Sequence, residues 1–283
     1  MDFFYDGGKR VRPGKGEFLG CMKGIRETLS KCDTFDFILL QEADTDARRS
    51  YNTNEINEIA MVLPEYMYAF AKNYDCRFVP LPLQEPMGKV IAGLLVFSKY
   101  QPIRSDRNAY TANFSWPKRL AMLTRCFLVM IRFPLDNNKE FVLINTHNSA
   151  FDQGGVLRKS EFELLHNFMT TEFEKGNFVV AGGDWNNNPR GFRPEMIKSG
   201  DLPGTIDPMI DPTFLPGWQF VSDPCTPTNR FMDIPYSKGK TKTTIIDFFV
   251  VSPNIEVKTI RTISMGFEFS DHNPVVMKVE IKQ

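Results

Sequence analysis

The sequence predicts an α+β fold: two packed, mostly antiparallel sheets flanked by helices. Three observations lead there. Nine short runs have strand character, whereas only two stretches carry a clear helical period. Several of the strand runs are apolar throughout, which suits strands covered on both faces. Hydrophobic residues make up 42% of 283 residues, enough for a large core. Many strands with few helices are accommodated by sheet on sheet with helices outside.

In chain order, the first helix is expected at about 17–32, where Phe18, Met22, Ile25 and Leu29 recur on one face. Strands are expected at Phe37–Leu40, Tyr66–Ala71, Val90–Ser98, Cys126–Phe133 and Phe141–Asn145. A second helix follows at about 156–174, with Leu157, Leu164, Leu165, Phe168 and Phe173. The remaining strands are Phe178–Ala181, Ile245–Ser252, Glu256–Ile263 and Val275–Ile281. Two Pro- and Gly-rich stretches, 80–88 and 188–217, read as loops on one domain. No repeat or long linker divides the chain, so one domain spanning 1–283 is expected.

Composition excludes several classes. Lys plus Arg and Asp plus Glu both total 34, which disfavours a uniformly basic nucleic-acid binder. No run of about 18 apolar residues supports a membrane-spanning helix. The first eight residues lack the pattern of a secretory signal. Five scattered cysteines form no Cys-x-x-Cys pair, so neither a disulfide framework nor a cysteine zinc site is expected. A cytoplasmic monomer is the resulting expectation.

The chemistry lies at the strand mouths. Leu39-Leu40 runs into Gln41-Glu42, and Ile144-Asn145 into Thr146-His147-Asn148. Val180-Ala181 leads to Gly182-Gly183-Asp184-Trp185-Asn186. Asp247 interrupts an apolar run, and Ser270-Asp271-His272-Asn273-Pro274 precedes the last strand. Taken singly, each has an ordinary reading. Gly, Asp and Asn favour turns, and a Glu after a strand is usually solvated. Asp247 is harder to dismiss, because a buried carboxylate needs a partner. Five such sets at rigid strand ends form a plausible scaffold for catalysis.

These motifs, in this order, resemble the endonuclease/exonuclease/phosphatase superfamily, over about residues 36–281. The resemblance implies a DNase I-like four-layer α/β sandwich and metal-assisted hydrolysis of a phosphoester. The expected activity is that of a nuclease or phosphodiesterase. The alternatives are a phosphatase of a small or lipid-linked phosphate, or a non-catalytic relative that binds phosphate or nucleic acid. The cofactor expected is Mg²⁺, with Mn²⁺ as the substitute, because Mg²⁺ suits a site with few carboxylates. By resemblance and by residue type, Glu42 is the leading metal ligand and Asp271 a second carboxylate on or near the metal. Asp184 would orient or deprotonate the attacking water, and Asn186 would hydrogen-bond that water or a phosphate oxygen. Asp247 would pair with His272, and His147 would donate to a phosphate oxygen. Asn148, Arg119 and Arg125 are expected to touch substrate. His166, in mid-helix, is assigned to packing or solvent.

Two features bear on substrate and on the chain's beginning. Between Lys99 and Arg132 the net charge is +6, with Tyr100, Tyr110, Phe114 and Trp116 interleaved. That stretch either grips a phosphate backbone and stacks bases, or is a solvated connection whose stems pack on the sheet. Lys238-Gly239-Lys240-Thr241-Lys242 is a second basic loop. Members of the resembling family usually open with a core strand ending in Asn. Residues 1–51 contain no Asn, and Phe3-Phe4-Tyr5 is too short for that strand. A truncated start is the favoured explanation and a branch lacking the strand the other. The in-frame DNA upstream of Met1 decides between them.

Overall fold

The computed structural model describes residues 11–80, 83, 85–113, 115–116, 126–135, 138–150, 152, 154–206 and 209–281. Arg119, Arg125, Lys118, Phe114 and Phe3–Tyr5 lie outside them. Helix α1 spans Lys15–Ser30 and is followed by strand β1, Phe37–Ala47. A six-residue helix α2, Glu55–Ala60, precedes β2 (Met67–Val79), β3 (Gly88–Ser98) and β4 (Arg104–Ala109). Next come β5 (Cys126–Pro134), β6 (Glu140–His147), α3 (Val156–Glu174) and β7 (Phe178–Asp184). The short strands β8 (Leu202–Pro203), β9 (Gln219–Val221), β10 (Asn229–Arg230) and β11 (Lys242–Thr244) follow. The described elements end with β12 (Asp247–Val251), β13 (Ile255–Thr262) and β14 (Val275–Ile281).

The main sheet has the order β4-β5-β6-β7-β12-β9, antiparallel except for the parallel pair β6–β7. Opposite it lie the antiparallel sheet β1-β3-β2 and the hairpin β13-β14. Period-two alternation builds the layers. On β6, Val142 and Ile144 face α3 and join Leu165 and Met169 in one core. Phe141 and Leu143 point the other way, into a core shared with Leu94, Val96 and Val180. A third core packs Leu29 of α1 and Ile56 and Ile59 of α2 against Ile38, Leu95 and Phe97. Helix, sheet, sheet, helix is the four-layer arrangement the sequence predicts.

Among the described residues β1 and β14 are edge strands, β1 paired only with β3 and β14 only with β13. No described strand precedes α1. A cavity of about 1170 Å³ runs along both of these edges, lined by residues 37–43 and 274–279. Phe141, Leu143, Val180 and Phe249 also line it, and at one end it reaches Glu42, Asp184, Asp247 and His272.

Several expectations change in detail. β4 has no apolar run and is absent from the expected strands. Arg104-Ser105-Asp106-Arg107 nonetheless completes the sheet edge by backbone pairing with β5. The described cations of the basic stretch are engaged within the fold. Arg132 forks onto Glu172 (2.9 Å to each oxygen) and donates to Glu140 (2.6 Å). Arg104 pairs with Asp106, and the Arg107 side chain donates to the Lys72 carbonyl. Tyr110 is buried, with its hydroxyl on Thr146 Oγ1. These contacts tie the described flanks of the stretch to the fold, while Trp116 is exposed and Lys118, Arg119 and Arg125 lie outside the described residues. Of the five cysteines, the four whose side chains are described, Cys21, Cys32, Cys76 and Cys225, are free thiols. No described helix is long and apolar enough to cross a membrane.

Candidate active site

Glu42 is not past the end of a strand, as the sequence suggests, but inside β1. The register with β3 slips between Leu40 and Ala43, and Glu42 has φ +55°. A bulge re-aims a side chain out of strict alternation, at a backbone cost. Its neighbour Gln41 donates from Nε2 to Asn145 Oδ1 (2.7 Å). Asn145 in turn donates to the carbonyls of Leu40 (2.9 Å) and Leu95 (3.1 Å). This buried amide network ties β6 to the opposite sheet immediately beside Glu42.

The parallel pairing of β6 and β7 sets His147 opposite Asp184. His147 Nε2 lies 3.5 Å from Asp184 Oδ2 and 3.8 Å from Glu42 Oε1, so the imidazole stands between the two carboxylates. Gly183 permits this approach. Its φ is +144°, and a Cβ there would lie 2.0 Å from the Thr146 carbonyl oxygen. Antiparallel pairing then brings Asp247 of β12 opposite Asp184. Trp185 is fully buried, stacks on Phe248 and donates from Nε1 to the Phe248 carbonyl (3.0 Å), which fixes the turn between Asp184 and Asn186.

Asn186 takes φ +47° and serves Asp184. Its backbone N–H donates to Asp184 Oδ1 (2.8 Å), and its Nδ2 donates to Asp184 Oδ2 (3.2 Å) and the Asn148 carbonyl (2.9 Å). These bonds engage the backbone N–H and Nδ2 of Asn186 and hold the Asp184 carboxylate in place. Burial pushes the Asp184 carboxyl up to about 7, reinforced by Asp247 and Glu42 and opposed by His272 and the Asn186 amide.

His272 Nδ1 meets Asp247 Oδ2 at 2.8 Å, the pairing the sequence predicts. Burial works against its charge, but Asp247 and Asp271 outweigh it, and the imidazole is raised well above its ordinary value. Nε2 lies 2.9 Å from Asn229 Nδ2. A protonated ring donates from both nitrogens, so the Asn229 amide then presents its oxygen instead. The main chain of Asp271 is fixed by the Arg230 N–H, which donates to its carbonyl (3.0 Å). Its buried carboxylate sits beside His272, and both residues line the cavity.

Asn148 corrects an expectation. It is fully buried, donates from Nδ2 to Glu161 Oε2 (3.2 Å) and accepts from Thr146 Oγ1 (3.2 Å). The chain continues the parallel ladder past His147, with the Asn148 N–H donating to the Asp184 carbonyl (2.9 Å). That turn carries the side chain under α3, away from the cavity that Glu42, Asp184 and His272 line. Arg119 and Arg125 fall outside the described residues. His166 sits near Phe214 on α3, in keeping with a packing role.

Residues the sequence does not single out complete the site. Arg49, in the turn after β1, donates from Nη1 to Glu42 Oε2 (3.1 Å) and from Nε and Nη2 to the buried Asp44 (2.8 Å each). Arg158 of α3 donates from Nη1 to the Asn186 carbonyl (2.6 Å). Asn229 faces His272. Arg158 and Asn229 reach the site only through tertiary structure, and Arg49 through the turn that follows β1. Among the described residues no three His, Cys, Asp or Glu side chains close a metal cage.

Behind Asp44 lies Glu55, wholly buried in the first turn of α2, with Oε2 accepting from the Asp44 N–H (2.8 Å). Burial and the nearby Asp44 push its carboxyl up to about 8. Since the unfolded chain releases this proton near 4.5, the folded state holds the extra proton between those values. Stability therefore falls as pH rises from about 4.5 to about 8. Glu55→Gln removes that slope. In denaturant titrations the variant should gain about 1–3 kcal/mol on the wild type between pH 5 and pH 8.5. Parallel curves at the two pH values would exclude a buried, protonated Glu55.

The chain is similar to other proteins in sequence and in fold. An inositol phosphosphingolipids phospholipase C of Schizosaccharomyces pombe is 25% identical over 193 residues. The match takes in 64% of this chain but only 40% of that relative's length. The mannosyl-6-phosphatase Bt3783 of Bacteroides thetaiotaomicron superposes with a TM-score of 0.59 at 16% identity, covering 96% of this chain and 97% of the other. D. rerio TDP2 complexed with single strand DNA product superposes with a TM-score of 0.60 at 12% identity, covering 98% and 96%. At these identities the structural likeness is one of fold. Over residues 14–272 the sequence matches the Endonuclease/Exonuclease/phosphatase family, and the chain belongs to it.

Proposed function

We propose that the chain hydrolyses phosphodiester bonds with the help of a divalent cation. One observation carries this reading. Two separate acid–imidazole sets, Glu42–His147–Asp184 and Asp247–His272, line one cavity end, where β1, β6, β7 and β12 converge. The donors fit a hard cation: Glu42 offers carboxylate oxygen at the cavity, and Asp271 lines the same space. Mg²⁺ is commonly held by one or two carboxylates with water and substrate phosphate completing its shell. When bound, it neutralises phosphate charge and polarises the phosphoryl group.

The chain's own residues supply the rest. Asp184, gripped by Asn186, orients the attacking water and accepts its proton. His147, between Glu42 and Asp184, donates to a phosphate oxygen. His272, with its charge supported by Asp247, binds the negative charge that develops on the phosphoryl oxygens. Neither imidazole need move far, because each is held by strand-borne carboxylates.

The phospholipase C relative is named for a phosphosphingolipid diester and TDP2 is complexed with DNA, whereas the Bacteroides protein is named for a monoester. A five-substrate panel in Mg²⁺ separates these readings. It comprises bis-p-nitrophenyl phosphate, p-nitrophenyl phosphate, plasmid DNA, single-stranded RNA and an inositol phosphosphingolipid. At least one diester should turn over about 100-fold faster than the monoester, the range a well-placed acid–base pair provides. Preference for the monoester would replace the proposal with a phosphatase. No hydrolysis of any substrate would leave the non-catalytic binding reading.

A further inference from the structure

We propose that Arg49 is a positioning residue that confines Glu42 to single-oxygen ligation of its cation, and so biases the site toward Mg²⁺ and against Ca²⁺. The inference rests on Glu42 being a cation ligand, as proposed above.

The arrangement is built from close neighbours in sequence. β1 ends at Ala47, and the short turn Arg48–Ser50 returns Arg49 toward Glu42 and Asp44. The guanidinium is almost wholly buried, with a side-chain exposure of 6%, and Asp44 is inaccessible at 0%. Nε and Nη2 form a two-pronged contact with Asp44, leaving Nη1 to reach Glu42 Oε2. Such a planar fork fixes direction as well as charge. Asp44 is itself fixed, since its N–H donates to Glu55 on α2. The guanidinium therefore cannot follow Glu42 if that carboxylate rotates.

The consequence follows from coordination chemistry. Ca²⁺ takes six to eight oxygens and readily accepts both oxygens of one carboxylate. Mg²⁺ demands a smaller octahedral shell and is satisfied by one oxygen per carboxylate. With Oε2 held by Arg49, Glu42 turns Oε1 toward the His147 side. Chelation through both oxygens would make the cation share Oε2 with the Nη1 donor, and each contact weakens the other. An ordinary buried salt bridge would stabilise the fold equally but leave the choice of cation untouched.

The test reads cation binding directly. Free Mn²⁺ is followed by electron paramagnetic resonance as it binds the full chain, and Mg²⁺ or Ca²⁺ is then used to displace it. Arg49→Lys keeps a charge but loses the fork. It should lower Mg²⁺ affinity about 10- to 100-fold, the usual cost of losing a partner that orients a ligand. Ca²⁺ affinity should fall far less, so that the Mg²⁺/Ca²⁺ ratio drops by about tenfold. The double variant Asp44→Asn/Arg49→Gln removes both buried charges together and serves if Arg49→Lys does not fold. It should show the same drop. An unchanged ratio in a folded variant overturns the proposal. Glu42→Gln isolates the underlying reading: if that variant still binds Mn²⁺ like the wild type, Glu42 is not a ligand, whatever Arg49 does. Absence of Mn²⁺ binding in the wild type would remove both.

Discussion

Replacing His272 with Ala should lower turnover of the preferred diester by about a thousandfold while the protein stays folded. The size follows from what the ring contributes. It is an imidazole whose charge the neighbouring carboxylates favour, held by Asp247 at 2.8 Å and only 27% exposed in its side chain. A donor or charge preorganised there contributes about 10²–10³ in rate, and acid–base assistance a further factor. The fold should survive because the ring retains 27% side-chain exposure and sits before β14, outside the described apolar cores. Asp247→Asn preserves the shape of the contact but removes the supporting charge, so an intermediate loss of about a hundredfold is expected. Asn229→Ala should cost less than tenfold, because the Asn229 amide can face either ring state and merely orients it. Steady-state kinetics on the three variants, with thermal melts alongside, test this order. Full turnover in His272→Ala would reduce the pair to a structural ion pair.

The pairing of Asp247 with His272 is expected from the resemblance of their motifs to the family, and the strands they border account for how it is built. Both residues border apolar strands, and such strands have one way to lie flat in a buried sheet. Once β7 and β12 are strands, their register brings Asp247 opposite Asp184. The layers were legible for the same reason, since the alternation on β6 and β12 assigns each side chain to one core or the other. What failed was local or long-range. The bulge at Glu42 leaves no pattern, because a residue other than Gly at positive φ is dictated by its partner strand. Helix α2 is six residues long, too short for a 3.6-residue period to show. β4 is polar and owes its existence to the free edge of β5. Asn148 follows Thr146-His147 so closely that proximity in sequence suggested proximity to substrate. A strand end reverses sides with each residue, and Asn148 went under α3. Arg49 and Asn229 act across seven and forty-three positions of chain, distances at which no spacing rule operates.

Removing the cation should abolish hydrolysis, and Glu42→Gln should come close to doing the same, with a loss of about a thousandfold at any attainable Mg²⁺ concentration. The substitution keeps the volume of the side chain and leaves an amide in place of the carboxylate. A neutral amide oxygen is a far poorer ligand for a strongly hydrated cation than a carboxylate. The loss is not expected to arise from unfolding. The amide oxygen can still accept from Arg49 Nη1, and Arg49 keeps its two-pronged contact with the fully buried Asp44. Glu42 itself is 29% exposed in its side chain, and with the amide oxygen in place the buried guanidinium proton keeps a partner. Thermal melts of wild type and variant without cation should therefore nearly coincide. Adding Mg²⁺ should raise the melting temperature of the wild type alone, because only a folded site that binds gains from mass action. EDTA followed by Mg²⁺ or Mn²⁺ should restore the wild type and leave Glu42→Gln inactive. If EDTA leaves hydrolysis unchanged, the acid–imidazole sets work without a cation and Glu42 serves Arg49 rather than a metal.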